Sequence, residues 1–229
     1  MQARDRLVVA VDLSSRDDIL RLVDRLQGSV GIFKIGLQAF ITNGPSVVRE
    51  IVSGGERVFL DLKIHDIPNT AKHAVAEAAQ LGASMATVHA AGGEGMLRAC
   101  ADADDDRSLL VLAVTELTSL TEADLLQIGM GGLAVDNAVR LARLAQEAGL
   151  RGVVASPLEI EPIREACGAG FTILTPGIRP AGSDVGDQKR VMTPRDAVTA
   201  GADYIVVGRP ITNAADPRSA ALAIVEKMS

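Results

Sequence analysis

The sequence predicts a (β/α)8 barrel formed as a single domain over residues 1–229, and three observations lead there. Short runs rich in Val, Ile and Leu alternate with Ala-, Leu- and Arg-rich segments of helical spacing along the whole chain, the pattern of parallel βαβ units. Several of those runs are almost wholly apolar, as strands are when both faces are covered. Eight such units fit into 229 residues, the number that closes a compact barrel. An open, doubly wound sheet is the competing arrangement.

The elements follow in order. The first strand, 7–11, is an unbroken apolar run, and Asp12-Leu13-Ser14-Ser15 supplies capping residues for a helix over 16–26. A strand at 31–35 leads to a helix at 45–53 that starts on Pro45, where the missing N–H and fixed φ suit the first turn. The strand 58–63 is followed by Ile67-Pro68-Asn69-Thr70, read as the start of a helix over 69–81 that ends at Gly82. The next pairs are 85–89 with 95–103, 109–114 with 133–148, and 152–155 with 158–167. The seventh strand, 171–174, precedes a helix at 194–200, and the eighth, 204–207, precedes one at 217–227.

One stretch breaks this rhythm. Residues 175–193, TPGIRPAGSDVGDQKRVMT, have no period and carry three Gly and two Pro. Long loops in compact domains are commonly lids. With Arg179, Gln188, Lys189 and Arg190 on it, the segment reads as a loop that closes over phosphate; a tolerated surface insertion is the alternative.

Composition narrows the function. A hydrophobic fraction of 48% excludes a disordered chain. A net charge of −6 argues against nucleic-acid binding, and four Phe, one Tyr and no Trp leave little for base stacking. Cys100 and Cys167 stand alone, without metal or disulfide spacing. No apolar run has the length of a membrane span, and the charged start MQARDR followed by a short apolar run reads as a buried strand rather than a signal peptide. The expectation is a cytoplasmic protein without a membrane partner.

Polar groups collect where the strands end, the rim that carries the active site in such barrels. Asp12, Lys34, Asp61 with Lys63, His89, Thr115, Ser156, Thr175 and Gly208-Arg209 follow the eight strands in turn. The densest cluster is Asp61-Leu62-Lys63-Ile64-His65-Asp66. Strand side chains alternate, so Phe59, Asp61 and Lys63 share the face toward the barrel mouth while Val58, Leu60 and Leu62 face the helices. Burying these charges is costly unless they are paired. A self-neutralising ion pair is the bland reading, but a Lys set between Asp61 and Asp66 in an apolar strand is a poor way to stabilise a core. Lys34 extends the array. Carboxylates keep such lysines protonated, which suits delivery of a proton to a developing carbanion rather than Schiff-base formation.

Weaker signals are set aside. His89 reads as a hydrogen-bonded packing residue, and His65 and His73 are given no chemical step. The acidic run Asp102, Asp104, Asp105 and Asp106 reads as a solvated turn. The AAGGEG run at 90–95 is too generic for a nucleotide fingerprint.

The string FLDLKIHDIPNT (59–70), with VAVD (9–12), FKIG (33–36), VTELTS (114–119), TPGIRP (175–180) and VVGRPIT (206–212) in the same order, resembles the orotidine 5′-phosphate decarboxylase family. DxKxxD alone is shared with other sugar-phosphate enzymes; the longer string is more specific. The resemblance implies a homodimeric (β/α)8 enzyme that converts orotidine 5′-monophosphate to UMP and carbon dioxide without cofactor or metal. It further implies that Lys63 protonates C6 and that Lys34, Asp61 and Asp66 complete the array. Asp66 and Thr70 would reach the partner subunit's site. Asp12 and Lys34 would hold the ribose, Thr118 would lie over the pyrimidine, and Arg179, Gln188 and Arg209 would face the phosphate. Gly208-Arg209 also fits the usual barrel phosphate position, where backbone N–H groups and a guanidinium meet a dianion.

Two other readings compete. A magnesium-dependent sugar-phosphate lyase would favour a carboxylate where Lys34 stands, since a cation repels Mg2+. A non-catalytic nucleotide sensor would have no use for the charged array.

Overall fold

The computed structural model describes residues 2–104, 106–180 and 191–228. Its eight strands are β1 (Leu7–Ala10), β2 (Ile32–Gly36), β3 (Val58–Ile64), β4 (Met85–His89), β5 (Leu110–Val114), β6 (Gly152–Val154), β7 (Thr172–Thr175) and β8 (Tyr204–Val207). Each pairs in parallel with the next, and β8 pairs with β1, so the sheet closes into the predicted barrel. The competing open sheet is excluded by that closure.

The helices are α1 (Arg16–Leu26), α2 (Leu37–Asn43), α3 (Pro45–Ser53), α4 (Pro68–Gln80), α5 (Gly93–Ala101), α6 (Glu122–Gln127), α7 (Ala134–Glu147), α8 (Ile160–Cys167), α9 (Pro194–Thr199), α10 (Arg209–Thr212) and α11 (Pro217–Lys227). Four of the eight expected helices have shifted starts of one or two residues. In α4 the first helical residue is Pro68, and the cap position falls on Ile67, which has no side-chain cap bond. Asn69 and Thr70 therefore sit inside the first turn rather than capping it. At α1 the expected cap is present: Ser15 accepts from the Asp18 N–H at 3.3 Å.

Three short helices, α2, α6 and α10, were not foreseen, because a segment of four to seven residues is too short to show a helical period. The acidic turn is more than solvated surface. Asp104 accepts from the Leu109 N–H at 2.7 Å and from Ser108 Oγ at 3.2 Å, satisfying a backbone donor at the entry to β5.

Two apolar layers follow from strand alternation. Val8, Ala10, Ile32, Phe59, Met85, Leu112, Leu174 and Val206 fill the barrel interior. The alternate residues, such as Val9, Phe33, Leu60, Val88 and Ile205, are buried against the helices. Each such side chain contributes about 1.5–3 kcal/mol by leaving water. The core is thus built from branched aliphatics, as the scarcity of aromatics requires.

The same alternation decides what reaches the mouth. Two residues beyond the interior positions Ala10, Ile32, Phe59 and Val206 stand Asp12, Lys34, Asp61 and Gly208. Thr115 and Thr175 have the opposite parity. Both are buried away from the mouth, with Thr115 donating to the Val154 carbonyl at 3.2 Å.

Candidate active site at the barrel mouth

A cavity of about 320 Å3 opens at the C-terminal ends of the strands, within the range typical of small-molecule sites. It brings together Asp12, Lys34, Asp61, Lys63, Thr118, Arg179, Gly208 and Arg209. Eight of the eleven sequence-predicted site residues therefore share one space. Asp66 and Thr70 do not line it, and both are exposed. Gln188 lies outside the described residues, as do Lys189 and Arg190 of the expected lid.

The charged groups form a chain across neighbouring strands. Lys63 Nζ donates to Asp61 Oδ1 at 2.9 Å and Oδ2 at 3.0 Å. Lys34 Nζ lies 3.5 Å from Asp61 Oδ2 and 3.2 Å from Asp12 Oδ1. The order is Lys63, Asp61, Lys34, Asp12, alternating in sign. Asp61 and Lys34 are only 13% and 12% exposed, so each depends on its partners for charge compensation. Gly36 leaves room for this chain: a Cβ there would stand 3.0 Å from Lys34 Nζ and 3.2 Å from Asp12 Oδ1.

Burial pushes the Asp61 carboxyl up, but the Lys34 and Lys63 ammonium groups and the hydrogen bonds from Lys63 and Thr87 outweigh it. The net result is a carboxyl held below its ordinary value of 3.8. Its contribution to folded-state stability is present above that value and lost as pH falls through the lower folded one. Asp61 is thus an anion throughout the neutral range, paired with Lys63 Nζ at 2.9 Å.

Asp66 does not join the array within one chain. Its Oδ1 accepts from the Ile67 N–H at 2.7 Å, and among the described residues it has no ion pair. The expected flanking of Lys63 by two carboxylates is therefore half met in the single chain.

Simple alternation does not carry Lys63 into place. The β3–β4 register moves from Leu60 opposite Ala86 to Ile64 opposite Val88, so Asp61, Leu62 and Lys63 stand against Thr87 alone. Lys63 absorbs the extra length with φ 52, a left-handed conformation that costs a non-glycine residue about 1–2 kcal/mol. Strain of this kind concentrates at functional sites.

The remaining walls are divided by chemistry. Val114, Leu117, Val154, Ala155, Leu174, Pro176 and Val206 give an apolar side, and Phe59 is the one aromatic among the described lining residues. Arg179 and Arg209 enter after the adjacent strands β7 and β8. Glu116, also in the lining and buried, was not singled out by sequence; it lies two residues beyond the inward-facing Val114.

His89 stays outside the cavity lining. It stacks on His65 with ring centroids 5.2 Å apart and accepts from the Ala91 N–H through Nδ1 at 3.4 Å. Burial, then His65 and Lys63, push its pKa down. Ser156 is buried and does not line the cavity. Among the described residues no group of three or more His, Cys, Asp or Glu is placed to hold a metal ion.

Barrel and mouth together define an enzyme: an apolar slot with a cation-bearing charge array at one side and two guanidinium groups at another. Comparison with known proteins narrows the class. Residues 5–224 match the family model described as "Orotidine 5'-phosphate decarboxylase / HUMPS family". The orotidine 5′-phosphate decarboxylase of Moorella thermoacetica is 50% identical over 236 residues, covering all of this chain and 94% of that protein. That of Heliobacterium modesticaldum is 49% identical over 237 residues, covering all of this chain and 98% of that protein. The crystal structure of orotidine 5′-phosphate decarboxylase from Lactobacillus acidophilus superposes with a TM-score of 0.86 at 35% identity, covering 97% of this chain and 98% of that one. The chain belongs to the orotidine 5′-phosphate decarboxylase family, and it is a carboxy-lyase.

Proposed function

We propose that this chain, as one catalytic barrel over residues 1–229, decarboxylates orotidine 5′-monophosphate to UMP and carbon dioxide in pyrimidine biosynthesis, without cofactor or metal, with Lys63 as the proton donor. The observation that carries this reading is the Lys63 ammonium held 2.9 Å from the buried Asp61 carboxylate at the mouth of the cavity. The names of the full-length relatives support the choice of substrate.

The reaction breaks the bond between C6 and the carboxylate carbon. The electron pair stays at C6 as the carbon dioxide leaves and forms a C–H bond to a proton from Lys63 Nζ, whose N–H bond breaks; the neutral amine then regains a proton from solvent. The vinylic pair is poorly delocalised, so a fixed cation beside it is the main aid the protein can give. Asp61 aims that ammonium through hydrogen bonds to both its carboxylate oxygens. It also stands where the substrate carboxylate would approach, which disfavours the ground state, a contribution whose weight in enzymes is contested.

The other residues act in binding. Asp12 and Lys34 contact the ribose hydroxyls, Thr118 lies over the pyrimidine, and the aliphatic wall holds the ring without aromatic stacking. Gly208, Arg209, Arg179 and Gln188 receive the phosphate. Binding energy from this remote group is then available to organise the array.

The reading includes a homodimer in which Asp66 and Thr70 complete the partner's site. Its support is that Asp66 is exposed and has no ion pair among the described residues, together with the exposed Ile67, Leu37 and Ile41 on the β3 and β2 sides of the same rim. Large apolar side chains grouped at a rim mark contact surfaces. The proposed location is the cytoplasm; no helix among the described residues is long and apolar enough to cross a membrane.

Purified protein incubated with orotidine 5′-monophosphate is expected to yield UMP and carbon dioxide in equal amounts, at a rate unchanged by a strong chelator. Loss of turnover on chelation would favour the magnesium-dependent lyase. Tight UMP binding with no turnover would favour the nucleotide sensor.

A further inference from the structure

Strand β4 reads MATVH, with one hydroxyl in an otherwise apolar centre. Met85 belongs to the interior cluster, so Thr87, two residues on, points into the barrel beneath the mouth. It is fully buried, where a hydroxyl needs partners for both its proton and its lone pairs.

It finds them in the site itself. Thr87 Oγ1 accepts from the Lys63 backbone N–H at 2.9 Å and donates to Asp61 Oδ1 at 2.9 Å. The β3 bulge explains the first bond. With residues 61–63 standing against one residue of β4, the Lys63 N–H has no ladder carbonyl to meet, and the hydroxyl takes it. The second bond adds a neutral donor to the carboxylate that Lys34 faces from β2 and Lys63 from β3.

We infer that Thr87 is a positioning residue, whose hydroxyl fixes the left-handed Lys63 backbone and the Asp61 carboxylate relative to one another. The inference rests on the reading of Lys63 as proton donor. Thr87 is not among the residues that line the cavity. Its effect is exerted through the angle at which the ammonium meets C6. A valine keeps the branched shape but offers neither bond; a serine offers both.

The test compares Thr87→Val and Thr87→Ser with the unaltered enzyme in orotidine 5′-monophosphate turnover, with UMP affinity and melting temperature measured alongside. Thr87→Val is expected to lower kcat about 10- to 100-fold, the cost of a donor displaced by a fraction of an ångström to an ångström, with KM and UMP affinity little changed. Thr87→Ser should recover most of the loss. Unaltered kcat in Thr87→Val would overturn the inference. So would equal impairment of both variants with kcat, KM and melting temperature moving together, which marks packing alone. A Lys63→Ala control separates the failures: if it remains active, the proton-donor reading falls; if it is inactive while Thr87→Val is normal, only the role of Thr87 falls.

Discussion

Lys63→Ala is expected to lower kcat for orotidine 5′-monophosphate about 10^4-fold or more, since it removes a general acid and a preorganised cation, each worth roughly 10^2-fold at the least. The decrease in substrate absorbance reads the effect directly. The loss should fall on kcat, because the proposed phosphate and ribose contacts through Arg209, Arg179 and Asp12 are left in place. The change also strips Asp61 of its nearer cation and leaves only Lys34, 3.5 Å away. A buried carboxylate with one partner fewer raises its pKa, so a modest loss of melting temperature should accompany the catalytic one. UMP binding by the variant would show that the pocket has survived.

The second large effect is a recovery. Lys63→Ala and Asp66→Ala proteins, each inactive alone, should regain turnover when mixed under conditions where subunits exchange. Asp66 is exposed, and among the described residues it is anchored only to the adjacent Ile67 N–H, which leaves it available to another chain. In a twofold dimer with shared sites, each hybrid contains one site with both defects and one with neither. Random exchange makes half of the dimers hybrids, so activity should approach about a quarter of the unaltered enzyme's. No recovery despite demonstrated exchange would place Asp66 outside the partner's site.

Much of this was legible in the sequence, for reasons that can be stated residue by residue. The strands were legible because a barrel strand is apolar on both faces, so its run stands out. Lys34 and Asp61 were legible because each interrupts such a run at a position whose parity points inward. Thr115 and Thr175 show the limit of reading strand ends without that parity: one follows β5 directly and the other ends β7, yet both are buried away from the mouth. Thr87 was hidden in the centre of an apolar strand. Its importance comes from the β3–β4 register shift, a relation between residues 24 and 26 positions apart that no local pattern encodes. The left-handed turn at Lys63 was hidden for the same reason. The short helix α10 was missed by its length, although its first residue, Arg209, was correctly expected at the mouth.

The central claim is that an ammonium at position 63 supplies the proton, and chemical rescue tests it most directly. A Lys63→Cys protein, alkylated with 2-bromoethylamine, regains an ammonium on a side chain of nearly lysine length. Buried Cys100, whose thiol is pushed up to about 11 by burial, should react slowly, and unaltered enzyme treated in parallel controls for Cys100 and Cys167. The account predicts that Lys63→Cys is inactive and that orotidine 5′-monophosphate turnover rises with the fraction alkylated at position 63. Turnover by the unalkylated variant, or none after complete alkylation with UMP binding intact, would contradict it.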